Sequence, residues 1–428
     1  MIGKTLRKVY NLLKTLRLDD SYKRLSQCDV LFFCHDVDRG VTLNNRAYSP
    51  LIDSIRDIFE EKGLKCQTIA HPFSTLTNDN GHGSPISINR RYFFFTIITR
   101  IFPKIIVEIF FPQLNIYRKI INRTRARLII TIDSRREMCN AAQDLGCLCI
   151  ELLHGVSHTS LPAGWKEARS SELPQGILSL SDRSTSIFSE LNIHDIKIKT
   201  IPHPFLKRFT KKNSRDLPKE WHLPPANRSK FKKEILVSLM WGYSDDHGPN
   251  LELANILKNG LFYEELALAV AETPDIFWRF RFHPVQLRER QYSNLIKYMV
   301  QFVSQHPNSE WKQASTLPLP SVASICSGNI SMASGACYDV ASMGLKSLML
   351  CPTIQDGGVN EAFFTDLVQE GYAVKDAANK DRILSWAQSV EATKPRLSNL
   401  HNDRDWDDAE KWMLKRSQLD VKLKSGTV

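Results

Sequence analysis

Residues 278–284 have the sequence WRFRFHP, in which aromatic and arginine residues alternate up to a His-Pro pair. An alternation of period two is typical of a half-buried β-strand. The strand is predicted to end at Pro284, because proline has no N–H to donate to a neighbouring strand. His283 is therefore predicted to lie at the edge of a sheet, either as a structural cap of the strand or as a donor to a phosphate oxygen.

Short apolar strands alternate with helices on both sides of this stretch. The clearest strand signals are DVLFFCHD (29–36), KCQTIAHP (65–72), RARLIITIDS (125–134), CLCIELLHG (147–155), EILVSLMWGY (234–243), SVASICSG (321–328) and KSLMLCP (346–352). Strands that alternate with helices predict parallel sheets covered by helices on both faces. The sequence thus predicts an α/β protein with two Rossmann-like doubly wound domains that face a cleft.

A basic stretch with prolines and no periodicity separates the two halves and is predicted to be a linker. The predicted organisation is an N-terminal domain over 1–204, the linker over 205–233, a C-terminal domain over 234–395 and a helical segment over 396–428 that packs back on the N-terminal domain.

The composition is that of a globular protein, with 42% hydrophobic and 24% charged residues among 428. A net charge of +11 predicts anionic partners such as nucleotides, phosphorylated sugars, phospholipids or nucleic acid. Nucleic acid is disfavoured, because the basic residues cluster at the N-terminus and in the linker without a stacking or zinc signature. Nine scattered cysteines without a CxxC pair favour reduced thiols and a cytoplasmic location.

Two segments raise the question of a membrane. Residues 1–18 contain five basic and no acidic residues, with apolar residues at helical spacing. They are predicted either to bind the inner membrane surface or to pack on the domain as an amphipathic helix. Residues 92–112 are apolar but include Arg100, Lys104 and Glu108, and each charge at a bilayer centre costs about 2.5–3.5 kcal/mol. A transmembrane helix is therefore not predicted.

Polar residues follow the predicted strands of the N-terminal half. Asp36, Asp38 and Arg39 follow the first strand, and Glu151 and His154 end a later one. The carboxyl ends of parallel strands meet at one edge, where ligands bind. The first group is predicted to bind an acceptor or to form a solvated turn. A metal held by Asp36 and Asp38 is not predicted, because the rest of the chain has no D-x-D after a nucleotide-binding strand.

The C-terminal half offers a second set of candidates at its strand ends. They are Asp245, Asp246, Arg281, His283, Pro284, Ser331, Ser334 and Gly335. Small residues before a helix expose N–H groups and the positive end of the helix dipole to an anion, although Ser334 could serve only as an N-cap. The chain has neither a Walker motif nor G-x-G-x-x-G, which disfavours P-loop and dinucleotide enzymes.

The His283-Pro284 pair, followed by Ser331 and Ser334 at a helix start, resembles GT-B glycosyltransferases, in particular the sialyltransferases and Kdo transferases that use CMP-activated sugars. ELLHG (151–155) and SLMWGYSDD (238–246) resemble stretches of bacterial capsule and O-antigen transferases. The resemblance implies that the histidine and the serines hold the nucleotide phosphate. It also implies an N-terminal acceptor domain, a C-terminal nucleotide-sugar domain, and no metal or other cofactor.

The same resemblance ranks Glu151 and Asp246 first as catalytic residues, followed by Asp245 and His154. It implies transfer of an acidic sugar, such as Kdo or sialic acid, from CMP to a surface-polysaccharide or lipid-linked acceptor at the inner membrane, with inversion or retention left open. CDP-glycerol glycerophosphotransferases share the His154-Gly155 pair, the R-x-H strand end and the serine pair, and would use His154 as the base. A non-catalytic protein that binds anions or nucleic acid is the third interpretation.

Overall fold

The computed structural model describes residues 20–94, 112–155, 160–209, 217–227, 229–241, 257, 260–288, 290–391 and 403–419. The chain forms two compact units: unit 1 is Met1–Phe205 with His401–Val428, and unit 2 is Leu206–Leu400. Within the described ranges, no helix combines the length and the apolarity that crossing a membrane requires. Residues 1–18 and most of the apolar segment 92–112 lie outside those ranges.

Unit 1 is built on a six-stranded parallel sheet with the order β4-β1-β5-β6-β7-β8 and a small antiparallel hairpin, β2-β3. The strands are β1 Val30–Cys34, β2 Val41–Leu43, β3 Arg46–Tyr48, β4 Cys66–Ala70, β5 Leu128–Thr131, β6 Leu148–Leu152, β7 Gly176–Ser179 and β8 Lys197–Thr200. The helices are α1 Ile52–Glu61, α2 Pro112–Thr124, α3 Arg136–Asp144 and α4 Asp182–Phe188, joined by the C-terminal helix Asp403–Arg416.

Both faces of this sheet are covered, as the alternation along β1 shows. Val30 and Phe32 pack in one apolar cluster with α1 and the C-terminal helix. Leu31 and Phe33 pack in another cluster with α2 and α3. A sheet covered on both faces can present polar side chains to ligands only near the strand ends.

Unit 2 contains the second six-stranded parallel sheet, with the order β11-β10-β9-β12-β13-β14. Its strands are β9 Lys233–Ser238, β10 Ile276–Arg281, β11 Ser309–Glu310, β12 Gly328–Ser331, β13 Lys346–Met349 and β14 Ala373–Lys375. Its helices are α5 Glu264–Glu272, α6 Pro284–Arg288, α7 Ser293–Gln305, α8 Lys312–Thr316, α9 Leu319–Ala323, α10 Ala336–Ser342, α11 Thr365–Gln369 and α12 Lys380–Ser389; the C-terminal helix is α13.

The prediction of two Rossmann-like α/β domains is confirmed. In unit 2 the strands run 3-2-1-4-5-6 in their order along the chain, which is the dinucleotide-fold arrangement. In unit 1 the order is 2-1-3-4-5-6. The order reverses between β1 and β5 in unit 1 and between β9 and β12 in unit 2. Ligands of such sheets bind outside the carboxyl ends of the strands at these switch points.

Two local predictions differ from the structure. Residues 321–328, predicted as a strand, contribute to helix α9 instead, because Pro318 and Pro320 favour a helix start, and the strand begins only at Gly328. The strand β10 is not half-buried: Arg279 is buried between β9 and β11, where its guanidinium pairs with Glu234 and Glu310. A buried arginine is tolerated because both carboxylates compensate its charge.

In each unit, a tryptophan from a late helix lies against a strand glycine. A Cβ atom at Gly176 would overlap the ring of Trp412, and one at Gly328 would lie 2.7 Å from the ring of Trp386. Trp412 belongs to α13, which closes one face of the first sheet. The absence of a side chain at Gly176 therefore lets the C-terminal helix approach the sheet.

Gly176→Ala is expected to lower the free energy of unfolding by about 1–3 kcal/mol, because the added methyl group overpacks the interface with Trp412. Urea unfolding followed by circular dichroism measures the change. Trp412→Leu in the same chain should recover part of the loss. A double-mutant cycle with no coupling between the two positions would contradict this contact.

Candidate functional site

Three neighbouring strands of unit 2 end in register at its switch point. Arg281 of β10 lies opposite Ser238 of β9, which lies opposite Ser331 of β12. The segments that follow these strands, 239–241, 282–284 and 332–335, therefore leave the sheet at the same edge. This edge contains the predicted phosphate-binding residues.

His283 occupies the turn between β10 and α6, whose first residue is Pro284. The backbone N–H of His283 donates to Gln286 Oε1 at 3.0 Å, and Nδ1 accepts from the N–H of Val285 at 3.3 Å. Because Nδ1 accepts, the neutral ring carries its hydrogen on Nε2, which is then a donor for a ligand. The ring of Trp241, with 38% of the residue surface exposed, lies 6.0 Å away.

Met240 joins this turn to the loop that precedes α10. Its carbonyl oxygen accepts from Gln286 Nε2 at 3.2 Å, and its sulfur accepts from the N–H of Ala333 at 3.1 Å. Gln286 is completely buried. Met240, which follows β9, therefore holds both the His283 turn and the loop that precedes α10.

The two predicted serines have different environments. Ser331 is buried; its hydroxyl donates to the Ser238 carbonyl at 3.0 Å and accepts from the N–H of Ser334 at 3.4 Å. A buried network continues from Ser238 through Asn329 to Ser347, with distances of 2.7 and 2.9 Å. Ser331 therefore shapes the loop from within the fold and does not face a ligand.

Ser334 and Gly335 lie at the tip of the loop. Ser334 Oγ accepts from the N–H of Ala336 at 3.2 Å in a local turn before α10, whose N-cap is Gly335 and not Ser334. The N–H of Gly335 makes no hydrogen bond within the described part of the chain. Among the described residues other than its chain neighbours, no atom lies within 4 Å of the position that a Cβ would take at Gly335, so the described part of the chain leaves space at this tip.

Arg281 is engaged by the end of α8, and its predicted contact with a phosphate stays a prediction. Its Nη1 donates to the carbonyl oxygens of Ala314 and Leu317, the latter at 2.7 Å, at the end of α8. Burial lowers the pKa of Arg281 to about 10 and raises the pKa of nearby Asp339 to about 7. Arg281 thus stabilises α8, which alternation along the sequence could not reveal. Asp245 and Asp246 lie outside the described residues and stay predictions.

In unit 1, His154 and Asp38 form a pair after β6 and β1. His154 Nδ1 lies 3.2 Å from Asp38 Oδ1; the histidine side chain is 67% exposed, whereas the carboxylate is buried. Burial raises the pKa of Asp38, and the neighbouring His154 and His35 oppose this effect. A carboxylate that accepts from Nδ1–H leaves the lone pair of the neutral ring on Nε2, where it can take a proton.

Glu151, three residues before His154, holds the loop between β5 and α3 by two hydrogen bonds. Its two carboxylate oxygens accept from the backbone N–H groups of Asp133 and Ser134, at 2.9 and 2.7 Å. Burial raises its pKa to about 7, although the two N–H donors lower it. Both oxygens are thus engaged by the β5–α3 loop and the residue is 6% exposed, and the catalytic role of Glu151 stays a prediction.

The predicted acceptor residues Asp36 and Arg39 are also engaged by the fold. Asp36 accepts from the hydroxyl of Ser74 and from the N–H of Thr75, the latter at 2.7 Å. Arg39 forms a buried ion pair with Asp53 at 2.7 Å. The third predicted acceptor residue, Asp38, is joined instead to His154, whose side chain is 67% exposed.

Two residues of unit 1 become conspicuous only in three dimensions. His71 follows β4 and Arg135 precedes α3, both at the carboxyl edge that also bears His35. His71 lies within the strand signal at 65–72, and Arg135 follows the strand signal at 125–134 by a single residue. Nothing in the sequence indicates that these two side chains lie in the same electrostatic environment.

Solved structures share this fold at low sequence identity. The S. aureus protein MnaA, in a co-structure with UDP, aligns over 94% of this chain and 100% of its own, with 10% identity and a TM-score of 0.54. The UDP-GlcNAc 2-epimerase from Methanocaldococcus jannaschii aligns over 90% and 99%, with 9% identity and a TM-score of 0.53.

The wall teichoic acid polymerase TagF aligns over 99% of this chain and 93% of its own, with 12% identity and a TM-score of 0.51. No protein-family model and no curated protein matches the sequence. At these identities the likeness shows the fold alone, and this fold is that of GT-B enzymes.

Glu151 is expected to make the protein less stable as the pH rises. The unfolded carboxyl group loses its proton near pH 4.5, whereas the folded one keeps it until about pH 7. Its contribution is therefore complete below pH 4.5 and falls by at most about 3 kcal/mol as the pH rises to 7. Urea unfolding at a series of pH values should show this decline in the wild type and not in Glu151→Gln.

Glu61→Gln, a change of an exposed carboxylate, serves as the control and should keep the wild-type pH profile. The slope is the quantity to compare, because the amide that Glu151→Gln introduces would weaken one of the two backbone hydrogen bonds at every pH. Equal slopes in the wild type and Glu151→Gln would contradict the raised pKa.

Proposed function

We propose that this chain is a transferase of the GT-B type that binds a nucleotide-activated donor in unit 2 and moves its sugar to an acceptor bound by unit 1. One observation carries the proposal: Met240 holds the turn of His283 and the loop before Gly335 at the switch point of the second sheet. The fold shared with nucleotide-sugar enzymes agrees with this assignment.

Three donors at this edge suit a phosphate group. They are the Nε2–H of His283, the hydroxyl of Ser334 and the N–H of Gly335, the last at the positive end of α10. The exposed face of Trp241 offers a stacking surface for a base or sugar ring beside the phosphate. Pro284 fixes the turn, and Ser331 keeps the loop in place.

His154 is the residue we propose as the general base. In the reaction, Nε2 of His154 takes the proton of an acceptor hydroxyl, and the oxygen of that hydroxyl forms a bond to the anomeric carbon of the donor sugar. The bond from that carbon to the phosphate oxygen breaks, and the electron pair leaves with the nucleotide. Asp38 orients the ring and stabilises the imidazolium that forms. Glu151 and its hydrogen bonds position the neighbouring loop.

The donor we propose is a CMP-linked acidic sugar, because the His283-Pro284 pair and the later serines resemble those of CMP-dependent transferases. The acceptor we propose is a surface glycan or a glycolipid. The solved structures of similar fold include proteins bound to UDP, so UDP is the main competing nucleotide in the experiment below.

A CDP-glycerol-type polyol-phosphate transferase is the second candidate. The specific observation in its favour is the His154–Asp38 pair, since that interpretation requires a histidine base. The fold likeness to TagF agrees with it. The transferred group separates the two candidates: mass spectrometry of the product shows either an added sugar or an added glycerol phosphate.

Pyrimidine nucleotides are expected to stabilise the protein against heat through unit 2. Melting temperatures are compared with CMP, CDP, UDP and ADP for the wild type, His283→Ala and the control His222→Ala, which changes an exposed histidine of the same unit. His283→Ala should lose about 1.5–3 kcal/mol of nucleotide binding, the usual contribution of a charge-assisted hydrogen bond. The proposal fails if no nucleotide stabilises the wild type more than His283→Ala.

His154→Gln is expected to lower kcat by about 10²–10⁴ with the donor that this panel identifies, because a glutamine cannot take the proton. Nucleotide affinity should stay unchanged, since the histidine belongs to unit 1. Asp38→Asn should also lower kcat, through loss of the ring orientation. If Glu151→Gln lowers kcat as much as His154→Gln without lowering stability, Glu151 and not His154 is the base.

A further inference from the structure

A group of basic side chains occupies the switch point of unit 1. His71, His35 and Arg135 follow the adjacent strands β4, β1 and β5, so they leave the sheet at the same edge. The rings of His35 and His71 lie 5.5 Å apart. Burial lowers the pKa of His71 to about 3, and the positive charges of Arg135 and His35 contribute to this shift.

His71 presents a polar atom without a partner. Only 3% of the residue is exposed, and its Nε2 is buried without a hydrogen bond in the described part of the chain. Buried polar atoms are nearly always paired, so an exception requires an explanation. The ring is neutral at pH 7, and its Nε2–H can donate a hydrogen bond to an anion without the ring taking up a proton.

Arg135 supplies a positive charge that no carboxylate of the described residues neutralises at close range. Its Nη1 donates to the hydroxyl oxygen of Tyr92 at 2.6 Å. Among the described residues, no carboxylate oxygen lies within 4 Å of its guanidinium; Asp133 and Glu137 act on it from farther away. The guanidinium keeps N–H groups that can donate to an acidic ligand.

Asp36, the carboxylate whose charge acts on His71, accepts hydrogen bonds from its own surroundings. Asp36 accepts from the Ser74 hydroxyl and from the N–H and hydroxyl of Thr75, the last two at 2.7 and 3.0 Å. These donors stabilise its negative charge within the loop. His35 lies beside it with Nδ1 accepting from the N–H of Val37 at 3.1 Å, which leaves Nε2–H of the neutral ring as a donor.

An aromatic side chain borders the basic group. Phe73 has a positive φ of 69°, a region that costs energy for a residue with a Cβ, and 43% of its surface is exposed. The buried side chain of Asn89 holds it there by accepting from its N–H at 2.8 Å. The Phe73 ring contacts the edge of Tyr92, whose hydroxyl binds Arg135. Tyr92 thus connects an exposed apolar side chain with the guanidinium.

We propose that unit 1 binds an acidic acceptor: a phosphate or carboxylate group accepts from Arg135, His71 and His35, and the sugar ring that bears it packs on Phe73. The inference deepens the proposed function, since it names the chemistry of the acceptor. His35 follows the same strand as Asp38, the partner of the proposed base, so the acid binds near the residue that deprotonates the hydroxyl.

Isothermal titration of the full chain with three sugars of equal ring size tests this inference. Glucose 6-phosphate and glucuronate carry the two acidic groups, and glucose carries none. At least one acidic sugar should bind more tightly than glucose, and the better of the two identifies the group as phosphate or carboxylate. Arg135→Gln should weaken that binding about tenfold or more, the usual effect of losing one charged hydrogen bond.

Arg136→Gln is the matched control, because this neighbouring side chain instead donates to the Gly164 carbonyl at 2.8 Å. It should leave the affinity within about twofold of the wild type. Phe73→Ala should weaken the binding of the acidic sugar but not that of inorganic phosphate. His35→Gln changes an exposed ring and gives a second test if Arg135→Gln does not fold.

The inference is wrong if the three sugars bind equally, if none binds, or if Arg136→Gln weakens binding as much as Arg135→Gln. His283→Ala distinguishes this inference from the proposed function. If an acidic sugar binds His283→Ala with wild-type affinity, it binds outside the donor site. Failure of nucleotide binding then leaves the inference about the acceptor intact. Failure of acidic-sugar binding likewise leaves the proposed donor site intact.

Discussion

The burial of both faces of each parallel sheet is the constraint on which the rest of the structure depends. A polar group inside such a sheet must find a partner within the protein, since an unpaired buried donor or acceptor costs about 1–3 kcal/mol. Asn329 meets this requirement between Ser238 and Ser347, and Arg279 meets it between two glutamates. Polar groups that bind ligands are consequently confined to the strand ends, and the switch points are the strand ends with space beyond them.

The sequence predicted the architecture because this constraint leaves a pattern. Strands buried on both faces appear as short apolar runs, and they can be recognised one by one between helices. The pattern also placed His283 at a sheet edge, because proline ends the strand there. It failed at residues 321–328, where small and apolar residues suit a buried helix as well as a strand, and the prolines ahead of them decide for the helix.

The direction of individual side chains could not be predicted in the same way. Arg281 and Arg39 follow or end strands as a ligand-binding residue would, yet one holds the end of a helix and the other is buried against Asp53. The partners of Arg281, at the end of α8, are distant in sequence. Asp53, the partner of Arg39, lies beyond the β2-β3 hairpin, whose turn could not be predicted. Glu151 and His154 belong to one motif, but β6 ends between them, so the glutamate stays inside the fold while the histidine reaches solvent. Motif membership alone cannot separate these two roles.

The two switch points differ in the kind of donor they offer, and the proposed reaction explains the difference. In unit 2 the donors are neutral: an imidazole, a hydroxyl and a backbone N–H. The charge on a leaving phosphate grows as the bond to the sugar breaks, so oriented neutral dipoles bind it more strongly in the transition state than in the ground state. In unit 1 the acid of the acceptor keeps its charge throughout, and the permanent charge of Arg135 suits such a group. In the proposed reaction, an arginine there would increase affinity for the acceptor without altering the barrier, whereas the dipoles around His283 would act on the transfer step itself.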